Sequence, residues 1–122
     1  MAERFRPSDR IRKAYEHRAL LASGERVHSK HFVWILGPSL SGSPRLGTTV
    51  SKRAVPRAVD RNRVKRVVRD AFRRHRSMVP AGVEMVLVAK AGAHTISAGA
   101  FLGEWSGALP AMRRAGERLH RR

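Results

Sequence analysis

The chain has no cysteine, which excludes disulfides and thiolate-bound metal. No apolar run approaches the roughly 20 residues of a membrane span. The opening residues, MAERFRPSDR, lack the apolar region of a secretory signal. A cytoplasmic protein without membrane contact is expected. The 122 residues suggest one domain over 1–122, with 1–8 and 116–122 flexible. Acidic residues are also scarce. The nine Asp and Glu lie singly along the chain, whereas metal-assisted phosphodiester cleavage uses clustered carboxylates. The six histidines (His17, His28, His31, His75, His94 and His120) show no HExxH or Cys-His spacing. No catalytic and no metal-binding side chains are expected in the protein itself.

What the chain has in excess is positive charge. Twenty-six Lys and Arg give a formal net charge of +17. So small a domain repels itself unless a polyanion neutralises it. Arginine dominates, offering forked donors to phosphate and planes that stack on bases. Nucleic acid is the expected partner. The charge is concentrated: Lys52–Arg76 carries eleven basic and two acidic residues.

The pattern along the chain is mixed. Ser8 or Asp9 can cap a first helix carrying Ile11, Ala14, Tyr15 and Leu21, with Gly24 as its stop. Arg26–Leu36 reads as one β-rich run, with Phe32–Leu36 buried on both faces. Gly37–Arg45 is a loop, and Arg45–Ser51 alternates as a half-buried strand. Val83–Ala89 reads as a central strand. Ile96–Arg114 reads as a helix with Phe101, Trp105, Leu109 and Met112 on one stripe. Gly99, Gly103 and Gly107 suggest close packing on a sheet, and Pro110 should kink or end the helix. Trp34 and Trp105 read as core first. The order gives an α+β domain with helices laid on a small sheet.

DRNRVKRVVRDAFRRHR, Asp60–Arg76, combines both themes. Asp60 can cap a helix from Arg61. Val64, Val67, Val68, Ala71 and Phe72 then form one apolar face. Arg61, Lys65, Arg69 and Arg73 climb one flank, Asn62 and Arg66 the other, with Arg63 opposite the core. A solvated face mixes signs to limit repulsion, and here only Asp70 interrupts. The helix docks by its valines and presents guanidinium groups outward. A membrane-surface helix would carry large anchors in place of small valines.

SKRAVPRAVDRNRVKRVVRDAF resembles the RNR signature of the protein subunit of bacterial ribonuclease P. RIRKAYEHRALLASGERVHSKHFV and VEMVLVAKAGA are similar to that family's first helix and strands and to its last strand. The resemblance implies a two-layer α+β sandwich: an N-terminal helix, then β(3)-α-β-α around a small mixed sheet, with a left-handed β-α-β crossover. It implies a subunit of an endoribonuclease that cuts the 5′ leader from precursor tRNA, the chemistry belonging to a catalytic RNA with bound magnesium. Carried over, RNA contacts fall on Ser51, Lys52, Arg53, Arg57, Arg61, Asn62, Arg63, Lys65, Arg66, Arg69 and Arg73. A leader cleft falls on His17, Leu21, Val33 and Ile35, with Lys65 and Arg69 at its rim. The family usually has aromatics at the positions of His17, Leu21 and Ile35, and Gly in the turn where Pro56 and Arg57 stand. Two other readings compete. A small ribosomal or RNA-chaperone protein needs only basicity, not this ordered spacing. A DNA-binding recognition helix would follow a short turn from another helix, not strand and basic loop.

Overall fold

A computed structural model describes residues 9–11, 13–39 and 42–121. Helix α1 (Ala14–Ser23) leads into strands β1 (Glu25–His28), β2 (Phe32–Pro38) and β3 (Leu46–Thr49). Helix α2 (Ala58–Arg74), strand β4 (Val83–Ala89) and helix α3 (Ala98–His120) follow. The sheet order is β1-β2-β4-β3, with β3 parallel to β4 and the other pairings antiparallel. The α+β class and the helix-then-β(3)-α-β-α order are as expected.

The β-rich run is a hairpin, not one strand. Ser29–His31 turns between β1 and β2, and the Ser29 amide donates to the Phe32 carbonyl at 2.9 Å. Having neither Gly nor Pro, that turn left no mark in the pattern. Glu104 of α3 fastens it. Its carboxylate accepts from the Ser29 hydroxyl (2.5 Å) and the His31 amide (2.9 Å), and meets His31 Nδ1 at 2.8 Å. Burial would raise the Glu104 pKa, but these bonds together hold it below the usual carboxylate range.

The sheet's two faces differ. One carries the main core under α2 and α3, where Phe32, Trp34, Met85 and Leu87 meet Val64, Val68, Phe72, Phe101, Trp105 and Met112. The Phe32 and Phe101 rings meet edge-on at 5.1 Å, and Trp34 stacks on Phe101 at 5.7 Å. Both tryptophans are buried, as expected. The other face carries a small cluster of Ile11, Leu20, Ile35 and Val86 under α1.

Several boundaries differ from expectation. Helix α1 starts after Lys13, so Asp9 does not cap it; Ser8 lies outside the described residues. Asp9 is buried and bonds the Arg76 guanidinium at 2.8 Å. Arg57, not Asp60, is the residue before α2, and Asp60 sits in its first turn, where a carboxylate still suits the helix dipole. Helix α3 runs through exposed Pro110. The carbonyl it leaves undonated belongs to Ser106, itself exposed, so water can take the amide's place. The helix also continues past Arg114. Ala115, Gly116 and Leu119 are buried, so Gly116–His120 is docked helix rather than a flexible tail. Gly99, Gly103 and Gly107 point outward, and a Cβ on Gly103 or Gly107 would meet nothing within 4 Å. Phe101, Trp105 and Met112 occupy the inner face instead.

Close approach of α1 to the sheet depends on other glycines. A Cβ on Gly24 would lie 2.5 Å from Ile35 Cγ2 and 2.7 Å from the Leu20 carbonyl oxygen. A Cβ on Gly47 would lie 2.5 Å from His17 Nε2. Arg45 then locks the helix down. Its guanidinium bonds Glu84 of β4 and Glu16 of α1, each at 2.8 Å. These two carboxylates raise the Arg45 pKa further. The Arg45 hydrogen bond in turn holds Glu16 below the usual carboxylate range, against the opposing effect of burial.

Gly24→Ala should lower stability by about 1–3 kcal/mol, because backbone atoms must move to admit the methyl group. Urea unfolding measures it, and an unchanged midpoint would contradict the packing. Arg45→Met should cost about 3 kcal/mol by leaving buried Glu84 unpaired. A carboxyl depressed in the fold stabilises it above the unfolded value and stops doing so as pH falls through the folded value. Glu16 should therefore make wild-type stability fall as pH drops below the usual carboxylate range. That component of the acid slope should be missing from Arg45→Met.

Candidate nucleic-acid interface

The basic segment has two parts. The first is a turn after β3. The Ala54 amide donates to Ser51 Oγ at 3.1 Å, and the Val55 amide to the Ser51 carbonyl at 3.0 Å. Val55 is fully buried and anchors the turn, leaving Lys52, Arg53 and Arg57 exposed. Pro56 ends the turn without disturbing the start of α2 at Ala58.

The second part is α2. Val64, Val68 and Phe72 are buried, and Val67 and Ala71 pack beside them. The outermost stripe is Asn62, Arg66, Asp70 and Arg74. Asp70 neutralises locally, bonding Arg73 and lying 3.2 Å from Arg74. The Arg73 hydrogen bond lowers the Asp70 pKa, against burial, with the Arg74 charge adding to it. Lys65 and Arg69 are half-buried on one flank. Burial, and then the charge of Arg10, pull the Arg69 pKa below its ordinary value. Arg10 pairs with Leu46 at the β3 edge, so that flank faces the α1 side of the molecule. Side chains of Lys52, Arg53, Arg57, Lys65 and Arg66 make no hydrogen bond or ion pair among the described residues.

Two arginines of the motif point elsewhere. Arg61 Nη1 donates to the carbonyls of Val55 (3.0 Å) and Pro56 (2.7 Å). Arg63 does not lie opposite the core. Its Nη1 donates to the carbonyls of His94 (2.9 Å) and Ile96 (3.1 Å), in the connection leading into α3. Each holds a neighbouring loop against α2. Helical spacing could not reveal this: the Arg61 acceptors lie in the turn before the helix, and the Arg63 acceptors in a connection that only the tertiary fold brings near.

The cleft residues are also divided. Ile35 is fully buried under α1. The His17 ring covers Gly47, with its Nε2 3.0 Å from the Ile11 carbonyl oxygen. Leu21 and Val33 are partly buried beside the same cluster. The strand register places His28, Val33, Val88 and Thr49 side by side in one row across all four strands. None of the four is fully buried. The next row, Arg26, Ile35, Val86 and Gly47, lies beneath α1. Val88 escaped notice because Val83–Ala89 reads as continuously apolar.

Anionic groups are committed to the fold. Asp9, Glu16, Glu25, Asp70, Glu84 and Glu104 all bond cationic or histidine partners. Among the described residues no three His, Asp or Glu side chains gather as a metal site, and no helix is long and apolar enough to cross a membrane.

A family model described as Ribonuclease P matches residues 5–113. The ribonuclease P protein component of Syntrophus aciditrophicus is 36% identical over 86 residues, 70% of this chain and 71% of that protein. The component from Syntrophobacter fumaroxidans is 36% identical over 97 residues, 79% and 81% of the two chains. The RNase P protein of Staphylococcus aureus superposes with a TM-score of 0.74 at 25% identity, covering 84% of this chain and 94% of that one. The Thermotoga maritima RNase P protein shares the fold, with a TM-score of 0.72 at 22% identity over 86% and 96% of the chains. With this sheet order, this basic helix and a match over most of its length, the chain belongs to the ribonuclease P protein component family.

Proposed function

We propose that this chain binds the catalytic RNA of a ribonuclease P and the 5′ leader of precursor tRNA, and so assists maturation of tRNA 5′ ends. The observation that carries this reading is the cationic surface of the Ser51–Arg57 turn and α2, where Lys52, Arg53, Arg57, Lys65 and Arg66 are unpaired among the described residues, backed by a buried valine face. Lys52, Arg53, Arg57, Lys65 and Arg66 replace counterions along folded RNA. Arg69 and Arg73 extend that surface, and Ser51 and Asn62 offer polar atoms beside it. Arg61 and Arg63 act mainly by holding the platform's loops.

The leader lies along the row His28, Val33, Val88 and Thr49, between α1 and the Lys65–Arg69 flank. His17 and Leu21 form the α1 wall. Without aromatics at His17 and Leu21, the grip relies on apolar contact and phosphate pairing more than on stacking, which is worth about 1–3 kcal/mol per base. Ile35 acts from below, by seating α1. Magnesium and the hydrolytic step belong to the RNA subunit; six of the protein's carboxylates are paired in the fold. Neutralising phosphate lowers the magnesium that the RNA requires. The reading places the protein in the cytoplasm.

The decisive experiment is cleavage of precursor tRNA by the catalytic RNA at low magnesium, with and without this protein. Cleavage only with both supports the reading. No effect would favour a ribosomal or chaperone-like RNA binder. Lys65→Ala and Arg66→Ala should each lower the salt slope of binding to the catalytic RNA by about one. Arg63→Ala should instead lower the melting temperature, at a cost of about 1–3 kcal/mol for two undonated carbonyls. Unchanged slopes for Lys65 and Arg66 would remove the α2 surface from the interface. Val88→Glu puts a negative charge in the row and should weaken precursor binding more than mature tRNA binding. Equal loss for both would place the leader elsewhere.

A further inference from the structure

The family match ends at Arg113, but α3 continues through His120. The turns beyond it, RAGERLH, do not trail into solvent. Ala115, Gly116 and Leu119 are buried, and a Cβ on Gly116 would lie 3.3 Å from Pro80 and 3.5 Å from Val83. This end of the helix is therefore held rigidly on the start of β4. Its outer arc carries Arg113, Arg114, Glu117 and Arg121, all exposed. The side chains of Arg113, Arg114 and Arg121 make no hydrogen bond or ion pair among the described residues. Arg118 is committed to Glu25 at 2.8 Å. Glu117 is the one acidic side chain in the arc.

This surface adjoins the basic helix. Both α2 and α3 lie on the same face of the sheet. Their N-terminal ends meet where Arg63 donates to Ile96. At the other end, Ser77 and Pro80, just beyond α2, share a surface groove with Arg113 and Glu117. The two outer faces are thus neighbours, and a polyanion crossing α2 can reach the end of α3. Arg114 and Arg121 stand two turns apart, about 10 Å along the axis, so they meet different phosphates. Cations near a helix C-terminus also favour its dipole. That effect acts on helix stability and leaves the salt dependence of RNA binding unchanged.

We propose that the last two turns of α3 form a second phosphate-binding surface for the folded catalytic RNA, beyond the part of the chain that the family match covers. It rests on the proposed RNA-binding function. The test measures affinity of the intact protein for the catalytic RNA alone and for precursor tRNA alone, between 50 and 200 mM salt. Wild type is compared with Arg114→Gln/Arg121→Gln, Glu117→Gln and Arg66→Gln. The double variant should lose nearly two from the salt slope, so that its affinity falls about tenfold less than wild type across that range. Glu117→Gln, which removes a repulsive charge, should tighten binding. Its gain separates a contact from a folding defect. If Arg66→Gln changes the slope and the α3 double variant does not, the second surface is refuted and the α2 assignment stands. If neither changes it, both fail. An effect on precursor tRNA alone would overturn the assignment to the catalytic RNA.

Discussion

Scarcity of negative charge shapes this molecule. With nine acidic residues against 26 Lys and Arg, each internal ion pair uses a group that is in short supply. Most of these pairs join elements far apart in the chain. Asp9 ties the N-terminal segment to Arg76, Glu25 ties β1 to α3, and Glu16 with Glu84 ties α1 to β4 through Arg45. Their strengths differ. Arg118 and Asp70 are about half exposed, and such pairs contribute roughly 0–1 kcal/mol. Glu84 is buried, and removing its partner is far more costly. With most of the acids paired elsewhere, Lys52, Arg53, Arg57, Lys65 and Arg66 have no ion-pair partner among the described residues. The positive field of that surface follows from where the few carboxylates went.

The two faces of the sheet divide the work. The α2–α3 side is thick, with aromatic rings in mutual contact. The α1 side is thin: Leu20 is the one buried residue of that helix. Elements with few buried apolar contacts open at lower free energy than the core. Helix α1 is held by Leu20, the Arg45 bridge and backbone clearance at Gly24 and Gly47. These contacts set how far α1 covers the sheet. They bury the row of Ile35 and leave the row of Val33 and Val88 accessible. A helix held this way can adjust without disturbing the basic helix on the opposite face.

Much of this was legible in the residues. The valine spacing in α2 names its buried face, and the family resemblance supplies a topology that composition never could. The failures have specific physical causes. Four-residue spacing tells that Gly99, Gly103 and Gly107 share a face, but not which one. The larger apolar area of Phe101, Trp105 and Met112 claims the inside. The segment after Arg114 looks polar by count, yet Ala115 and Leu119 continue the stripe from Met112 and bury it. Ile35 falls on a cleft position by family resemblance, while its burial depends on where α1 lies, which the Arg45 bridge and the glycines help to decide. Arginine is the least legible residue type. Arg61, Arg63, Lys65 and Arg66 look alike in a basic run, but Arg61 and Arg63 each turn to two carbonyls.

That inward turn accounts for a motif that is both ordered and basic. A long cationic side chain loses rotamer freedom when it binds RNA, and the loops that carry it must also hold still. Arg61 binds the carbonyls of the turn that presents Lys52, Arg53 and Arg57. Arg63 binds the connection into α3 and so fixes the helix beside α2. In each arginine a single nitrogen, Nη1, donates to two loop carbonyls. A lysine could carry the same charge at either position but not the same planar geometry. Basicity alone would therefore preserve attraction to RNA and lose the fixed spacing of the surface. On the proposed function the motif's spacing serves both tasks, with outward cations for phosphate and inward guanidinium groups that hold them in place.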